Sequence, residues 1–223
     1  MTTPVQCDKK RILLIDGYHL LHKGYYGSLK RKKILTNRDG EILNALCVFV
    51  AKMIDFSNSG KYHTVIVTFD VASKDCWRRE LYPDYKATRK ETPDDLKPQM
   101  QLVRKLLTAA NIPWYEKESF EGDDVMGTIT RVATKLGYFV EILSNDKDIY
   151  QLVSDDCVVA TQKTSKCEME YITKAEVLES FGCTPKQIPD MKALMGDSSD
   201  NIKGVCGLHY STATKIINQY GSI

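Results

Sequence analysis

Three short runs of apolar, mostly β-branched residues stand apart from the rest of the chain. They are RILLID at 11–16, TVIVTFD at 64–70 and YFVEILSND at 138–146. Runs of this length and composition are typical of strands that are buried on both faces. The pattern therefore predicts three core strands, each of which leads into an aspartate.

Longer segments between these runs carry apolar residues at spacings of three and four, the period of a helix with one buried face. The spacing predicts a helix within 40–60 that ends near Asn58 or Gly60, a helix within 94–113, and a helix after 121. Proline lacks a backbone N–H, so Pro98 sets the start of the second helix. Strands that alternate with helices predict an α/β domain with a mainly parallel, helix-covered sheet.

The last part of the chain has a different pattern. Short helices joined by Gly- and Pro-containing turns are predicted at 173–182, 185–196 and 211–221. Within this part, 201–217 has the pattern of a helix, a glycine turn and a second helix. We therefore expect an α/β core at 1–172 and a helical element at 173–223 that packs on it.

Acidic residues follow all three predicted strands: Asp16, Asp70 and Asp146. The carboxyl ends of parallel strands lie along one edge of a sheet, and ligands bind in the crevice there. We therefore expect these carboxylates to meet in space. The other acidic candidates for the same crevice are Glu121, Asp123 and Asp124 before a helix, Asp148, and Asp197 and Asp200 in GDSSDN.

Each of these acids alone has a simpler interpretation as a helix N-cap or a turn residue. Together, nine carboxylates in one crevice would repel one another and raise their pKa values. Mg²⁺ or Mn²⁺ would resolve that conflict, because both ions prefer oxygen ligands. Two such ions about 4 Å apart can activate a water and stabilise the leaving oxygen of a phosphodiester. The acids therefore predict metal-dependent phosphodiester hydrolysis.

Two other phosphate chemistries fit the sequence less well. A phosphatase with an aspartyl nucleophile would have a second acid two residues after the first, whereas Asp16 is followed by Gly17 and Tyr18. The sequence contains no GxxxxGK[ST] motif, which excludes a P-loop nucleotide hydrolase.

The composition is that of an ordinary globular protein, with 223 residues, 43% hydrophobic and 27% charged residues, and a formal net charge of +2. Lys and Arg dominate 1–33 and acids dominate 116–200. This asymmetry fits a polyanion held against a metal-loaded pocket, or simply two solvated faces. Seven scattered cysteines without a CxxC motif favour a reducing cytoplasm. We expect neither a signal peptide nor a membrane span.

The stretch WRRELYPDYKATRK at 77–90 mixes basic and aromatic residues. Its candidate DNA-contacting residues include Arg78, Tyr82, Tyr85, Lys86 and Arg89. Aromatic rings stack on bases while cations follow phosphates, the usual combination for single-stranded nucleic acid. A solvated amphipathic helix anchored by the tyrosines is the alternative, but the position shortly after Asp70 favours contact with a substrate.

Five stretches together resemble the 5′-nuclease domain of bacterial DNA polymerase I and its flap-endonuclease relatives. They are LLIDGYHLLHKGYYG, FDVASKDCWRRELYPDYKATRKETPDDLKPQ, FEGDDVMGTI, SNDKDIYQLV and MGDSSDNIKGVCGL, and they follow the family's order. The resemblance implies a PIN-like nuclease core, a helical arch at about 77–100 and a C-terminal helix-hairpin-helix-like element. It also implies 5′-flap endonuclease and 5′-3′ exonuclease activity in DNA replication and repair.

The resemblance further implies a site with two Mg²⁺ ions, for which Mn²⁺ can substitute. The ligands would be Asp16, Asp70, Glu121, Asp123 and Asp124 around the first ion, and Asp146, Asp148, Asp197 and Asp200 around the second. Lys86 and Arg89 match cations that steer and polarise the scissile phosphate, and Arg78 matches a further basic position. The implied partner is branched or 5′-ended DNA, bound by a monomer in the cytoplasm, at the nucleoid of a bacterium.

The glycine turn departs from the family pattern of Gly, apolar, Gly, any, Lys, Thr, Ala. Backbone N–H groups at such a turn can bind a phosphate, which makes Gly204, Gly207, Ser211 and Thr212 candidate DNA contacts. Here His209 replaces the second Gly and Ser211 replaces the Lys. A β-carbon hinders positive φ values, and the loss of Lys removes a phosphate partner. Both changes weaken the expectation of a tight duplex grip and of a K⁺ site.

Two alternatives remain open from the sequence. A non-catalytic, structure-specific DNA-binding module would explain the altered turn, although all nine acids are present. A ribonuclease on a related acidic scaffold would share the metal chemistry but not the long basic stretch. The family continues beyond the point where this sequence ends, at Ile223, so we expect a reduced protein or a fragment.

Overall fold

The structure is a computed structural model that describes residues 8–32, 34–71, 75–162 and 169–223. Its centre is a six-stranded sheet in the order β3-β2-β1-β4-β5-β6. The strands are β1 (Arg11–Asp16), β2 (Thr64–Thr68), β3 (Trp114–Tyr115), β4 (Phe139–Leu143), β5 (Cys157–Gln162) and β6 (Met169–Ile172). All neighbouring pairs are parallel except β5 and β6. The predicted α/β class with a mainly parallel sheet is confirmed.

Eight α-helices surround or extend this sheet in the described part of the chain. They are α1 (Gly17–Lys30), α2 (Asn44–Asn58), α3 (Arg78–Leu81), α4 (Lys97–Ala109), α5 (Gly122–Lys135), α6 (Lys174–Phe181), α7 (Ile188–Met195) and α8 (Tyr210–Tyr220). The predicted C-terminal end of α2 near Asn58 and the predicted start of α4 near Pro98 agree with these bounds. Helix α1 was not predicted, because glycines, histidines and tyrosines obscure its apolar period.

Helix α1 begins directly after β1 because two local contacts favour the sharp change of direction. The Asp16 carboxylate accepts a hydrogen bond from the His19 backbone N–H at 2.9 Å and so caps the helix. Gly17 is needed at the junction, since a β-carbon there would lie 2.3 Å from the ring of Phe69. This junction fixes the position of the Asp16 side chain.

Alternate residues of β1 supply the hydrophobic cores on the two faces of the sheet. Leu13 and Ile15 belong to one core, which also contains residues of α1, α2 and α4. Ile12 and Leu14 belong to the other, which contains residues of α5, α7 and α8. A strand with both faces covered has a continuous apolar sequence, as the run from Ile12 to Ile15 in β1 shows.

The C-terminal element packs on the second of these cores. Its residues Ile188, Met191, Ala213 and Ile217 share that core with the central sheet. The prediction of a helix at the start of 201–217 is wrong. Residues Ile202–Lys203 form strand β8, which pairs with β7 (Gly196–Asp197), so the helix before the glycine turn is α7.

The region predicted as a helical arch, 77–100, is mostly non-helical. It contains the four-residue helix α3 and the first turn of α4, with turns and irregular chain over 82–96. None of the described helices is long and apolar enough to cross a membrane. Cys7 and Cys167 lie outside the described residues.

Candidate active site

Four carboxylates gather at the carboxyl edge of the sheet, and we call them the sheet-edge cluster. Its members are Asp16 at the end of β1, Asp70 just beyond β2, Asp146 just beyond β4, and Asp123 in the first turn of α5. Asp16 also accepts a hydrogen bond from the Ser144 hydroxyl at 3.2 Å, and Asp70 from the Gly122 N–H at 2.5 Å. The predicted meeting of three strand-end acids therefore holds in the structure.

The sheet-edge cluster carries negative charge that the protein stabilises poorly. Burial, together with repulsion from Asp70 and Asp146, raises the pKa of Asp16 to about 7, against the opposing hydrogen bond from His19. Burial and repulsion from Asp16, Asp146 and Asp70 raise the pKa of Asp123 to about 8. Burial likewise raises the pKa of Asp70. Mutual repulsion and desolvation are the conditions that a bound cation relieves.

The other five predicted ligands form a second group, the ion-paired cluster, in which cations of the chain already face the acids. Its members are Glu121, Asp124, Asp148, Asp197 and Asp200. Arg78 binds both oxygens of Asp124, at 2.6 and 2.8 Å, and lies 3.2 Å from Glu121. The two-pronged bond outweighs the effect of burial and lowers the pKa of Asp124.

Lys86 and Arg89 reach the same cluster from the basic stretch. The Lys86 ammonium is bonded to Glu121 and lies 3.9 Å from Asp200, while Arg89 donates to Asp200 at 2.9 Å. Lys86 is only 9% exposed and has a φ of 56°. Non-glycine residues seldom adopt positive φ, and such strain is found at functional sites.

Lys192, on α7, is a member of the site that the sequence analysis missed. Its ammonium donates to Asp197 at 2.6 Å and is bonded to Asp148. Bonds from Lys192 and Ser199 overcome the effect of burial and lower the pKa of Asp197 to about 2. Burial raises the pKa of Asp148 despite Lys192. The only sequence signal was a lysine about one helical turn before GDSSDN.

Tyr85 does not have the exposed ring that base stacking requires, which corrects its predicted role. The residue is 5% exposed, and its hydroxyl lies 2.8 Å from Glu121 and 3.2 Å from Asp200. Tyr85 therefore bridges two candidate metal ligands. Tyr82 differs, because the residue is 37% exposed while its hydroxyl donates to the Asn201 carbonyl at 3.0 Å.

A cavity of about 740 Å³ brings most of these groups together. The predicted site residues that line it are Arg78, Tyr82, Tyr85, Lys86, Arg89, Glu121, Asp123, Asp124, Asp146, Asp148, Asp197 and Asp200. Trp77, Leu81 and Ile202 are among the apolar residues that line it. Of the nine predicted ligands, Asp16 and Asp70 are not among the described residues that line the cavity, but both interact electrostatically with Asp123, which does.

The donor set fits hard divalent cations. Asp148, Asp197 and Asp200 each offer an oxygen, and these oxygens lie within 4.8 Å of one another. The sheet-edge cluster adds four carboxylates, and burial and repulsion raise the pKa values of three of them, Asp16, Asp70 and Asp123. Carboxylate oxygens are the ligands that Mg²⁺ and Mn²⁺ prefer.

The glycine-turn candidates lie between β8 and the first turn of α8, and Gly204 among them packs against Met195 and Gly196, next to Asp197. Gly204 is required by packing, since a β-carbon there would lie 2.2 Å from the carbonyl carbon of Met195. Gly207 has a φ of 72°, which favours glycine. His209 has a φ of −88°, an ordinary value, so its β-carbon fits without strain. Ser211 and Thr212 are exposed in the first turn of α8.

Comparison with known proteins matches nearly the whole chain. The model of the 5′-3′ exonuclease N-terminal resolvase-like domain matches residues 11–182, and that of the 5′-3′ exonuclease C-terminal SAM fold matches 183–223. DNA polymerase I of Bacillus subtilis (strain 168) is 38% identical over 216 residues, or 97% of this chain and 24% of that protein. The chain therefore spans about a quarter of the length of this relative.

Solved structures agree with the fold. A bacteriophage T5 protein co-crystallized with metal ions aligns with a TM-score of 0.74 and 21% identity, covering 96% of this chain and 76% of the other. The T5 flap endonuclease in a pseudo-enzyme–product complex with DNA and metal ions aligns with a TM-score of 0.73 and 21% identity, with the same coverage. With both domain models matched in order, the chain belongs to the 5′-3′ exonuclease family.

Proposed function

We propose that this chain is a divalent-metal-dependent DNA 5′-nuclease that acts as a 5′-flap endonuclease and a 5′-3′ exonuclease. The observation that carries this proposal is the sheet-edge cluster, whose buried and mutually repelling acids adjoin a cavity lined by Arg78, Lys86 and Arg89. Acids that need a cation and cations that can hold a phosphate are the two requirements of metal-assisted phosphodiester hydrolysis.

The substrate is DNA with a free or branched 5′ end. Family membership supports this choice, as does the fold shared with a T5 flap endonuclease bound to DNA and metal ions. The matching relatives are bacterial DNA polymerase I chains, so we place the activity in the cytoplasm, on nucleoid DNA.

Two Mg²⁺ ions are the proposed cofactors, and Mn²⁺ can replace them. Asp16, Asp70, Glu121, Asp123 and Asp124 would hold the first ion, and Asp146, Asp148, Asp197 and Asp200 the second. When bound, the ions supply Lewis-acid activation of water and stabilisation of the leaving oxygen.

Lys86 and Arg89 are the proposed catalytic cations. Both donate to acids of the ion-paired cluster, so each has a charged group already aimed at the cavity. A scissile phosphate that enters there can take over these donors, and its developing negative charge is then stabilised by about 3 kcal/mol per well-placed donor. Tyr85 positions Glu121 and Asp200 through its hydroxyl.

DNA binding is divided between two regions in this proposal. Tyr82 stacks an unpaired base at the cavity rim, and Arg78 contacts phosphate when it leaves Asp124. Residues 173–223 form the duplex-binding element on the core at 1–172. In it, the backbone around Gly204 and Gly207, with Ser211 and Thr212, contacts phosphates without reading sequence.

The test is cleavage of a 5′-flap DNA duplex in Mg²⁺, with size analysis of the products. We expect turnover that disappears with a chelator, and that Asp146→Asn abolishes while DNA binding persists. Binding without turnover by the unsubstituted chain would refute the catalytic assignment. A parallel RNA flap, cleaved as fast as DNA, would instead indicate a ribonuclease.

A further inference from the structure

Lys192 occupies an unusual position inside a group of candidate metal ligands. Its ammonium touches two of the three carboxylates whose oxygens converge, at 2.6 Å from Asp197 and in a bond to Asp148. Asp200 completes the set. The ammonium thus contacts two of the three carboxylates that a divalent ion bound there would use.

We propose that Lys192 is a tethered competitor for the divalent cation at Asp148, Asp197 and Asp200. In this proposal the ion gains its full set of ligands only after the ammonium has left at least one carboxylate. The inference rests on the proposed metal-dependent function, and it assigns to this chain a residue that sets how readily one of the two ions is bound.

The surroundings of Lys192 allow its ammonium to leave a carboxylate when a divalent cation binds. Its side chain is 32% exposed, whereas the Lys86 side chain is 9% exposed and held by a strained backbone. A lysine ammonium is a compact charge on a flexible four-carbon stem, so it can leave one partner without unfolding its helix. Lys192 also lines the cavity, so a displaced ammonium would remain where a substrate phosphate is expected.

A neutral residue at this position should strengthen cation binding. Removing one positive charge about 4 Å from the ion removes a repulsion that corresponds to at least about a fivefold change in affinity, even with solvent screening. The opposite result is expected if Lys192 serves only to hold Asp148 and Asp197 in place, because its loss would then disorder the ligands.

The experiment is a titration of the whole chain with Mn²⁺, followed by the electron paramagnetic resonance signal of the free ion, without DNA. If two Mn²⁺ ions bind, the ion of lower affinity should bind to Lys192→Met and to Lys192→Gln at least about fivefold more tightly than to the unsubstituted chain. Lys135→Met is the matched control, since exposed Lys135 lies at the far end of α5, about 18 Å along the helix from Asp123. It should leave Mn²⁺ binding unchanged.

Two further variants locate the effect. Lys192→Arg keeps the charge and should bind Mn²⁺ like the unsubstituted chain. In an Asp148→Asn background, the gain from Lys192→Met should shrink or vanish, because the competition involves that carboxylate. Unchanged or weaker Mn²⁺ binding by both neutral variants would overturn the proposal, as would an equal gain from Lys135→Met.

A second measurement keeps Lys192 in place. In ¹⁵N-labelled chain, the ammonium resonance of Lys192, assigned from its absence in Lys192→Arg, should move toward that of a solvated lysine as Mg²⁺ saturates the site. A resonance that does not respond to Mg²⁺ would contradict displacement. Neither measurement needs cleavage, so a chain that binds Mn²⁺ as expected but cleaves no DNA would refute the nuclease assignment alone.

Discussion

The two acidic clusters differ in how the charge of their partly buried carboxylates is compensated. In the sheet-edge cluster, burial and repulsion raise the pKa values of Asp16, Asp70 and Asp123. In the ion-paired cluster, arginine and lysine partners lower the pKa values of Asp124 and Asp197. The acids of the first cluster therefore retain most of their mutual repulsion, while those of the second are largely neutralised by cations of the chain itself.

The difference fits a division of roles in the proposed function, with metal binding by the sheet-edge cluster and phosphate binding by the cations of the ion-paired cluster. Uncompensated buried acids are costly to fold and are retained where function requires them. Acids already paired with cations destabilise the fold less. In the proposed function, a metal ion would replace the Lys and Arg side chains at these acids, and those side chains could then bind a phosphate. Variants that alter one cluster at a time can test this division.

The largest effect is expected from Asp123→Asn, which removes a ligand from the centre of the sheet-edge cluster. Cleavage of a 5′-flap DNA in Mg²⁺ should fall by at least about 10³-fold, because a metal ion supplies several kcal/mol of charge stabilisation. Asp39→Asn, in an exposed turn, is the control and should cleave normally. Activity of Asp123→Asn within tenfold of the unsubstituted chain would contradict the role of this cluster.

Lys86→Met should have the next largest effect and should act differently. The loss of one preorganised donor to the reacting phosphate should lower kcat by about 10²-fold. Because Lys86 adds positive charge beside Glu121 and offers no ligand to a cation, binding of Mn²⁺ should remain as tight or become tighter. A loss of Mn²⁺ affinity that matches the loss of kcat would remove the distinction between the clusters.

Asp16→Asn should stabilise the metal-free protein. The pKa of Asp16 is about 7 in the fold and near 3.8 in the unfolded chain, so the folded state holds the proton more tightly. Its carboxyl therefore destabilises the fold increasingly as pH rises from about 4, and the loss levels off above about 7. Asparagine keeps the N-cap without the charge.

The expected gain in unfolding free energy is about 1–3 kcal/mol at pH 8 and clearly smaller at pH 5. Urea unfolding in the presence of a chelator measures it. Asp39→Asn again serves as control and should change stability little at either pH. A gain that is larger at pH 5 than at pH 8 would show that the burial of Asp16 has been misjudged.

The smallest effect is expected at a site outside both clusters. Ser211→Lys adds a cation to the exposed first turn of α8 and should tighten binding to duplex DNA by about twofold to fivefold at low salt. The steeper salt dependence should be visible in a fluorescence anisotropy titration. Mn²⁺ affinity should not change, since Ser211 does not line the cavity among the described residues.

The sequence predicted the fold class and the convergence of acids at the sheet edge, but not the side-chain contacts around those acids. β1 and β4 are buried on both faces, and their apolar runs placed Asp16 correctly at the end of β1 and Asp146 three residues beyond the end of β4. β3 was missed because it has only two residues. The ion pairs could not be predicted, because side chains such as Lys192 and Asp148 meet only after α7 packs beside the sheet.

Tyr85 illustrates a related limit. Its position among cations in 77–90 favoured an exposed ring, and only the folded chain turns that ring inward between Glu121 and Asp200. At the glycine turn, the substitution by His209 seemed unfavourable from sequence because the family has Gly there. The observed backbone has an ordinary φ at this residue, so no strain results.

The contact between the basic stretch and the C-terminal element has a mechanical consequence. The backbone N–H of Lys86 donates a hydrogen bond to the Asp200 carbonyl at 3.0 Å. The Tyr82 hydroxyl donates to the Asn201 carbonyl at 3.0 Å, and the Asn201 side-chain amide donates to the Asp84 carbonyl at 2.9 Å. A bound nucleic-acid strand that pushes the basic stretch aside must stretch these hydrogen bonds and pull on the loop that carries Asp200. Displacement of the basic stretch would therefore pull on Asp200, a candidate metal ligand that follows Tyr85 by 115 residues in the sequence.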